Sequence, residues 1–122
     1  RTHSLVTQNL PLFATVARDA VNGGNVKLAR AMLAILRMYD AECGEWYYLE
    51  AVANASEGGP SDYTFTMLEK ARVLGFDETW IRYVRACTLV RIGRLEAAIA
   101  ERDAARAAAG SHPAIPSFDA AF

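Results

Sequence analysis

Residues 77–109 read DETWIRYVRACTLVRIGRLEAAIAERDAARAAA, and this stretch decides the fold. Asp77 is a cap residue placed before a run of helix formers. Residues 78–92 then set Trp80, Tyr83, Val84 and Cys87 on one helical face. Gly93 breaks the run, as a glycine beyond a helix end commonly does. Residues 94–109 resume it with Leu95, Ala98, Ile99 and Ala105 on one face. Two helices around one glycine make a hairpin that cannot bury its apolar face alone.

Working toward the N-terminus, the same pattern returns. A shift of 34 residues puts Trp46 on Trp80, Ala53 on Cys87, Gly59 on Gly93, Phe65 on Ile99, Ala71 on Ala105 and Arg72 on Arg106. This predicts a helix over 43–56 with Trp46, Leu49 and Ala53 on one face, and another over 61–74 carrying Thr64, Phe65, Leu68 and Ala71. Ser61 is the expected N-cap of the latter, and Gly75 its stop. A weaker first copy slips by one: Phe13 takes the tryptophan position, and Gly24, Ala29 and Leu36 the turn, small and late positions. It predicts helices over 11–21, with Pro11 in the first turn, and over 25–39, with Val26, Ala29, Leu33 and Leu36 on one face. Six helices in three copies with a period near 34 mean stacked hairpins. Phe13, Trp46, Phe65 and Trp80 are the expected fillers between them.

An early aromatic, a turn glycine, and an early and a late alanine in the second helix are the pattern of the tetratricopeptide repeats. The segment Gly93-Arg94-Leu95-Glu96-Ala97-Ala98-Ile99 resembles that family's turn and second-helix opening. The resemblance implies an all-α fold, a right-handed superhelical stack of three antiparallel hairpins over about 11–41, 42–76 and 77–109. It also implies a concave groove lined by the first helix of each hairpin, which receives a peptide or helix from a partner. The groove residues it implies are Arg18, Asn22, Tyr47, Glu50, Asn54, Tyr83, Cys87 and Arg91, with Tyr48, Arg82 and Arg85 as neighbours. The family's clamp for a C-terminal carboxylate pairs Lys with Asn. Asn22, Asn54 and Arg91 have no matching Lys, so no such clamp is expected.

Outside the repeats, residues 1–10 are expected to form a polar arm, and 110–122 a tail or cap. Ile115, Phe118 and Phe122 either cover the last hairpin or stay free for a partner. The chain opens on Arg1 rather than Met, which predicts an excised domain or a processed chain.

Composition narrows the function classes. With 52% apolar residues in 122, one domain with a real core is expected. A net charge of −1 gives no pull toward nucleic acid or membrane, and neither is an expected partner. Cys43 and Cys87 lie in helical patterns and are expected as small buried hydrophobes in a reducing, cytoplasmic setting. The Ala- and Arg-rich composition points to a GC-rich, bacterial genome. His3 and His112 sit near the ends, without metal-ligand spacing, and are expected to be solvated. The glycine pairs lack the lysine of a phosphate loop, and the serines lack a His or Asp partner. No catalytic residue, cofactor or metal is therefore expected.

Charge is laid out in blocks. Residues 40–69 carry seven acids and no base, whereas 70–106 carry eight bases against five acids and 1–39 carry five against one. Two readings follow: ordinary solvated faces, or a groove of mixed potential. The functional expectation is a non-catalytic protein-binding adaptor module, part of a larger protein. The alternatives are a stand-alone secretion-type chaperone and a scaffold that self-associates through its arm or tail.

Overall fold

The computed structural model describes residues 2–121. The side chain of His3 and all of Phe122 lie outside what it describes. The chain is all-helical: α1 (Thr2–Asn22), α2 (Val26–Tyr39), α3 (Gly44–Ser56), α4 (Ser61–Val73), α5 (Glu78–Arg91), α6 (Leu95–Ala109) and α7 (Ile115–Ala121). No strand occurs among the described residues. Helices α1/α2, α3/α4 and α5/α6 pair as hairpins, and each later hairpin packs on the one before through α2/α3, α1/α3, α4/α5 and α3/α5.

Three apolar clusters lie between these layers. Trp46, Leu49 and Ala53 of α3 close on Ala17, Leu33 and Leu36 of the first hairpin. Ile81 and Val84 of α5 close on Ala51, Leu68 and Ala71 of the second. Ile115 and Phe118 of α7 close on Ala86, Ala98 and Ala105 of the third. Each incoming helix thus inserts two side chains three residues apart, which project from one helical face. Helix α7 takes the place that the first helix of a fourth hairpin would hold. The covering role of Ile115 and Phe118 is the one realised.

Burial corrects the register of the copies. Gly44, Trp46, Leu49, Ala51 and Ala53 of α3 match Thr79, Ile81, Val84, Ala86 and Thr88 of α5, a constant step of 35. Trp46 is therefore equivalent to Ile81, not Trp80. The turn glycines agree: Gly58 and Gly93 adopt φ of 71° and 82°, while Gly59 does not share that conformation. At Gly93 the amides of Gly93 and Arg94 bond back to Val90 (3.0 Å) and Leu89 (2.8 Å), closing the helix end with its carbonyls satisfied. A left-handed φ is strained for any residue with a Cβ, which is why glycine stands there. The second helices step by 35 from Ala29 and Leu36 to Thr64 and Ala71, then by 34 to Ala98 and Ala105. The match of two tryptophans at 34 was a coincidence of residue type that burial overrides.

Other expectations change locally. Helix α1 starts nine residues before Pro11, so the expected arm is helical. Pro11 sits on an exposed face inside it and contributes no backbone N–H to the helix. Ser61 is the first residue of α4 rather than its cap; Pro60 holds the cap position, without a side-chain capping bond. Asp77 does cap α5, accepting from the Thr79 amide at 3.0 Å. Leu95, expected on the apolar face of the sixth helix, is 55% exposed. Phe65 and Trp80 are only half-buried. Both cysteines are half-buried free thiols. No helix among the described residues is long and apolar enough to cross a membrane.

Candidate functional site

Helices α3 and α5 run side by side and leave a groove between them. Val52 and Ala55 of α3 form one wall, and Tyr83, Val84, Cys87, Thr88 and Arg91 of α5 the other. The cavity is about 200 Å³, the size of one large side chain. On α5 these residues recur at steps of three and four, so one stripe of the helix faces the groove. Thr88 spends its hydroxyl on the Val84 carbonyl at 2.9 Å, so it adds no free polar atom to the floor. Arg91 stands exposed at one end and donates to the Gly59 carbonyl at 3.0 Å. A guanidinium has five N–H donors, so most of its capacity stays available for an acceptor.

Burial pushes the Tyr83 phenol above its ordinary value, and the neighbouring Cys87 reinforces this. Burial also pushes the Cys87 thiol up, with the Tyr83 hydrogen bond pulling weakly the other way. A thiol held protonated is a poor nucleophile and behaves as a small apolar contact. The groove is thus an apolar slot with one cation at its end. It suits an apolar side chain next to a carboxylate or carbonyl.

Of the eight residues expected in the groove, Tyr83, Cys87 and Arg91 meet there. The other five do not. Arg18 pairs with Glu45 at 2.6 Å and lies over the Trp46 ring, where α1 meets the start of α3. Asn22 is the exposed last residue of α1. Tyr47 faces the second helices: Arg37 and Lys70 lie over its ring, and its hydroxyl donates to the Ala41 carbonyl at 3.3 Å. Glu50 is 4% exposed and lies between Arg30 (3.5 Å) and Arg37 (3.8 Å) of α2. Asn54 is buried; its amide donates to Thr64 Oγ1 (2.8 Å) and the Pro60 carbonyl (2.9 Å), while its oxygen accepts from Arg30 (3.2 Å). These two polar residues bind hairpins together, because α3 is enclosed on both sides and has no free face at those positions.

The expected neighbours are also occupied. Tyr48 stacks on Phe76 with centroids 4.5 Å apart, and burial pushes its phenol well up. Arg82 and Arg85 share Glu101 at 3.2 and 3.1 Å. Sequence reasoning missed Val52 and Ala55. Val52 follows the assigned core residue Leu49 by three positions and Ala55 follows Val52 by three more, a second stripe beside the one apolar face expected of α3.

The block pattern of charge has a structural use. The acids Glu45, Glu50 and Glu57 of the middle block pair with Arg18, Arg30 and Arg37 of the first hairpin. Opposite blocks therefore stitch adjacent hairpins, which ties up three of the middle block's seven acids. His112 is a further correction. Its side chain is 17% exposed, its Nε2 lies 2.6 Å from Asp77, and its Nδ1 accepts the Ala114 amide at 2.9 Å. Among the described residues, no group of three or more His, Cys, Asp or Glu could hold a metal ion. Comparison with protein-family models, curated protein sequences and solved structures finds no match to this chain.

Proposed function

We propose that the chain is a non-catalytic protein-binding module whose α3–α5 groove takes an extended segment of a partner. The segment carries one large apolar side chain beside an acidic residue. The observation that carries this reading is the apolar slot ending in the exposed Arg91. An apolar anchor in a pocket with a charge at its rim is how binding energy is commonly concentrated. The acid is favoured because the partner Arg91 has among the described residues is a neutral carbonyl, that of Gly59.

The test is a selection of displayed random peptides on the purified chain, followed by fluorescence anisotropy with the recovered peptides. They are expected to share an apolar–acidic pair and to lose roughly tenfold or more in affinity against Ala55→Glu and Arg91→Glu. Both positions are partly or fully exposed, so helical content is expected to survive. Peptides that bind both variants as tightly as the parent would place the site elsewhere. Tyr83 is a poor choice for such a test, since its ring also contacts Trp80 and Phe118.

A further inference from the structure

The second hairpin carries a cleft that shares no residue with the α3–α5 groove. Its walls are Ala41 of the turn before α3, Tyr47 of α3, Glu69, Lys70 and Val73 of α4, and Leu74 just beyond α4. The cavity is about 320 Å³. The Tyr47 hydroxyl donates to the Ala41 carbonyl at 3.3 Å, which ties the ring to the turn. Two cations lie over that ring, the Lys70 ammonium at 5.5 Å and the Arg37 guanidinium at 5.9 Å from its centroid. Among the described residues Lys70 has no acid partner. Arg37 approaches Glu50 at 3.8 Å, and Arg30 shares that acid at 3.5 Å. The acid on the wall, Glu69, is turned to Arg72 at 2.6 Å. Asp40 and Glu42 flank Ala41 in the chain but do not line the cleft. An aromatic ring and three aliphatic side chains thus stand beside an ammonium that no acid neutralises.

The third hairpin shows that the architecture does not require this arrangement. The step of 35 between α3 and α5 puts Arg82 at the position of Tyr47. The step of 34 between α4 and α6 puts Glu101 at the position of Met67 and Ala104 at that of Lys70. There Arg82 closes on Glu101 at 3.2 Å, so an ion pair across the hairpin does the joining. The second hairpin has instead a tyrosine between two cations, with an open cavity in front of it.

We propose that this cleft binds a small organic carboxylate with a flat apolar body. The carboxylate accepts from the Lys70 ammonium, a charge-assisted bond that the free chain leaves unmade. Arg37, on the same ring, adds positive charge behind it. The body lies against Tyr47, Ala41, Val73 and Leu74, and a flat one covers most of an aromatic ring. The cavity is near the lower end of the roughly 300–1,000 Å³ range of ligand pockets, which suits a one- or two-ring body. A single charge is favoured, because one ammonium lines the cleft and the rest of the unpaired wall is apolar.

The experiment titrates the full chain, labelled with nitrogen-15, with 2-naphthoate and follows the amide NMR signals. Saturable shifts are expected at Ala41, Tyr47 and Glu69 to Leu74, with the signals of Tyr83, Cys87 and Arg91 unmoved. The uncharged 2-naphthamide has the same body and is expected to bind roughly fivefold more weakly or worse. Acetate, which has the charge without the body, is expected not to saturate. Lys70→Met keeps an apolar stem and removes the ammonium, and is expected to weaken naphthoate by roughly fivefold or more while leaving naphthamide unchanged. Lys70 is exposed, so helical content is expected to survive. Val73 is also exposed, and Val73→Glu, which sets an acid at the mouth, is expected to abolish naphthoate binding and carries the test if Lys70→Met misfolds. Ala55→Glu is expected to change nothing here, which separates the cleft from the α3–α5 groove. Shifts that do not saturate, or that centre on Tyr83 and Arg91, would overturn the proposal. So would equal affinity for naphthoate and naphthamide, or full affinity in folded Lys70→Met or Val73→Glu.

Discussion

Glu50 of α3 sits with its Oε2 3.5 Å from the Arg30 Nε of α2, a nearly buried acid against a half-exposed base. Arg30 also reaches Asn54 at 3.2 Å and Glu57 at 2.5 Å, so a single side chain joins the first hairpin to three points on the second. The asymmetry of burial decides which partner matters more. An arginine that loses its acid can turn to water, whereas a buried carboxylate that loses its base keeps its charge out of water. Arg30→Ala is expected to lower stability by about 2–3 kcal/mol, below the range for a fully isolated pair because Arg37 remains at 3.8 Å. Glu50→Gln is expected to cost about 1 kcal/mol. Urea unfolding of both variants checks this, and an Arg30→Ala loss smaller than that of Glu50→Gln contradicts the argument.

Gly59 is required by Asn54. A Cβ built at Gly59 collides with the Asn54 side-chain amide, which is fixed by its bonds to Pro60 and Thr64. A flexible neighbour would swing aside, but Asn54 is 3% exposed and has nowhere to go. Gly59→Ala is expected to destabilise by about 1–3 kcal/mol. In an Asn54→Ala background the same change is expected to cost less, with a coupling of roughly 0.5 kcal/mol or more. A double-mutant cycle by thermal unfolding measures it. Additive effects would show that the glycine is needed for its backbone instead.

Trp46 and Trp80 are not equivalent, and truncation separates them. Trp46 is in the core beneath Arg18, and Trp46→Ala is expected to cost about 3–5 kcal/mol. Trp80 is half-buried, edge-on to Tyr83 at 6.0 Å and to His112 at 5.9 Å. Trp80→Ala is expected to cost about 1–2 kcal/mol. Its effect is expected to concentrate in 110–121, read by hydrogen exchange as faster opening of α7 with the first hairpin unchanged. Uniform loss of protection would mean that Trp80 belongs to the common core.

These cases mark what a sequence of this kind makes legible. The helices and their glycine stops could be read because periodicity and left-handed turn residues are local properties of the chain. The register could not, because it depends on which face each helix turns to its neighbours; residue type pointed to Trp80 and packing chose Ile81. Five of the eight expected groove residues lie outside the α3–α5 groove, two of them because of how α3 packs. Glu50 and Asn54 are polar residues on a helix expected to show a free face, but α3 has a hairpin on either side, and their partners Arg30 and Thr64 are 20 and 10 residues away in the chain. Helix α7 was hidden by its length and by Pro113 and Pro116, which read locally as the end of structure.

Asp77 carries the pH dependence of the α7 end. Burial alone would raise its pKa, but the His112 hydrogen bond and the Thr79 and Trp80 amides outweigh this and hold it below the ordinary 3.8. A depressed carboxyl pKa means that the native state favours the charged form. Its contribution to stability is then complete above the ordinary value and is lost as pH falls through the lower native value. Melting temperature is therefore expected to drop in strongly acidic solution, in part through Asp77. Asp77→Asn keeps a capping oxygen for the Thr79 amide but removes the charge that faces His112. The variant is expected to be less stable than the parent near neutrality, and the difference is expected to shrink as pH falls below 3.8. Asp77→Ala, which also loses the cap, is expected to keep a residual deficit of about 1 kcal/mol at every pH. A parent and Asp77→Asn pair whose melting curves stay a constant distance apart from neutral to acid pH would show that the carboxylate acts as a cap alone.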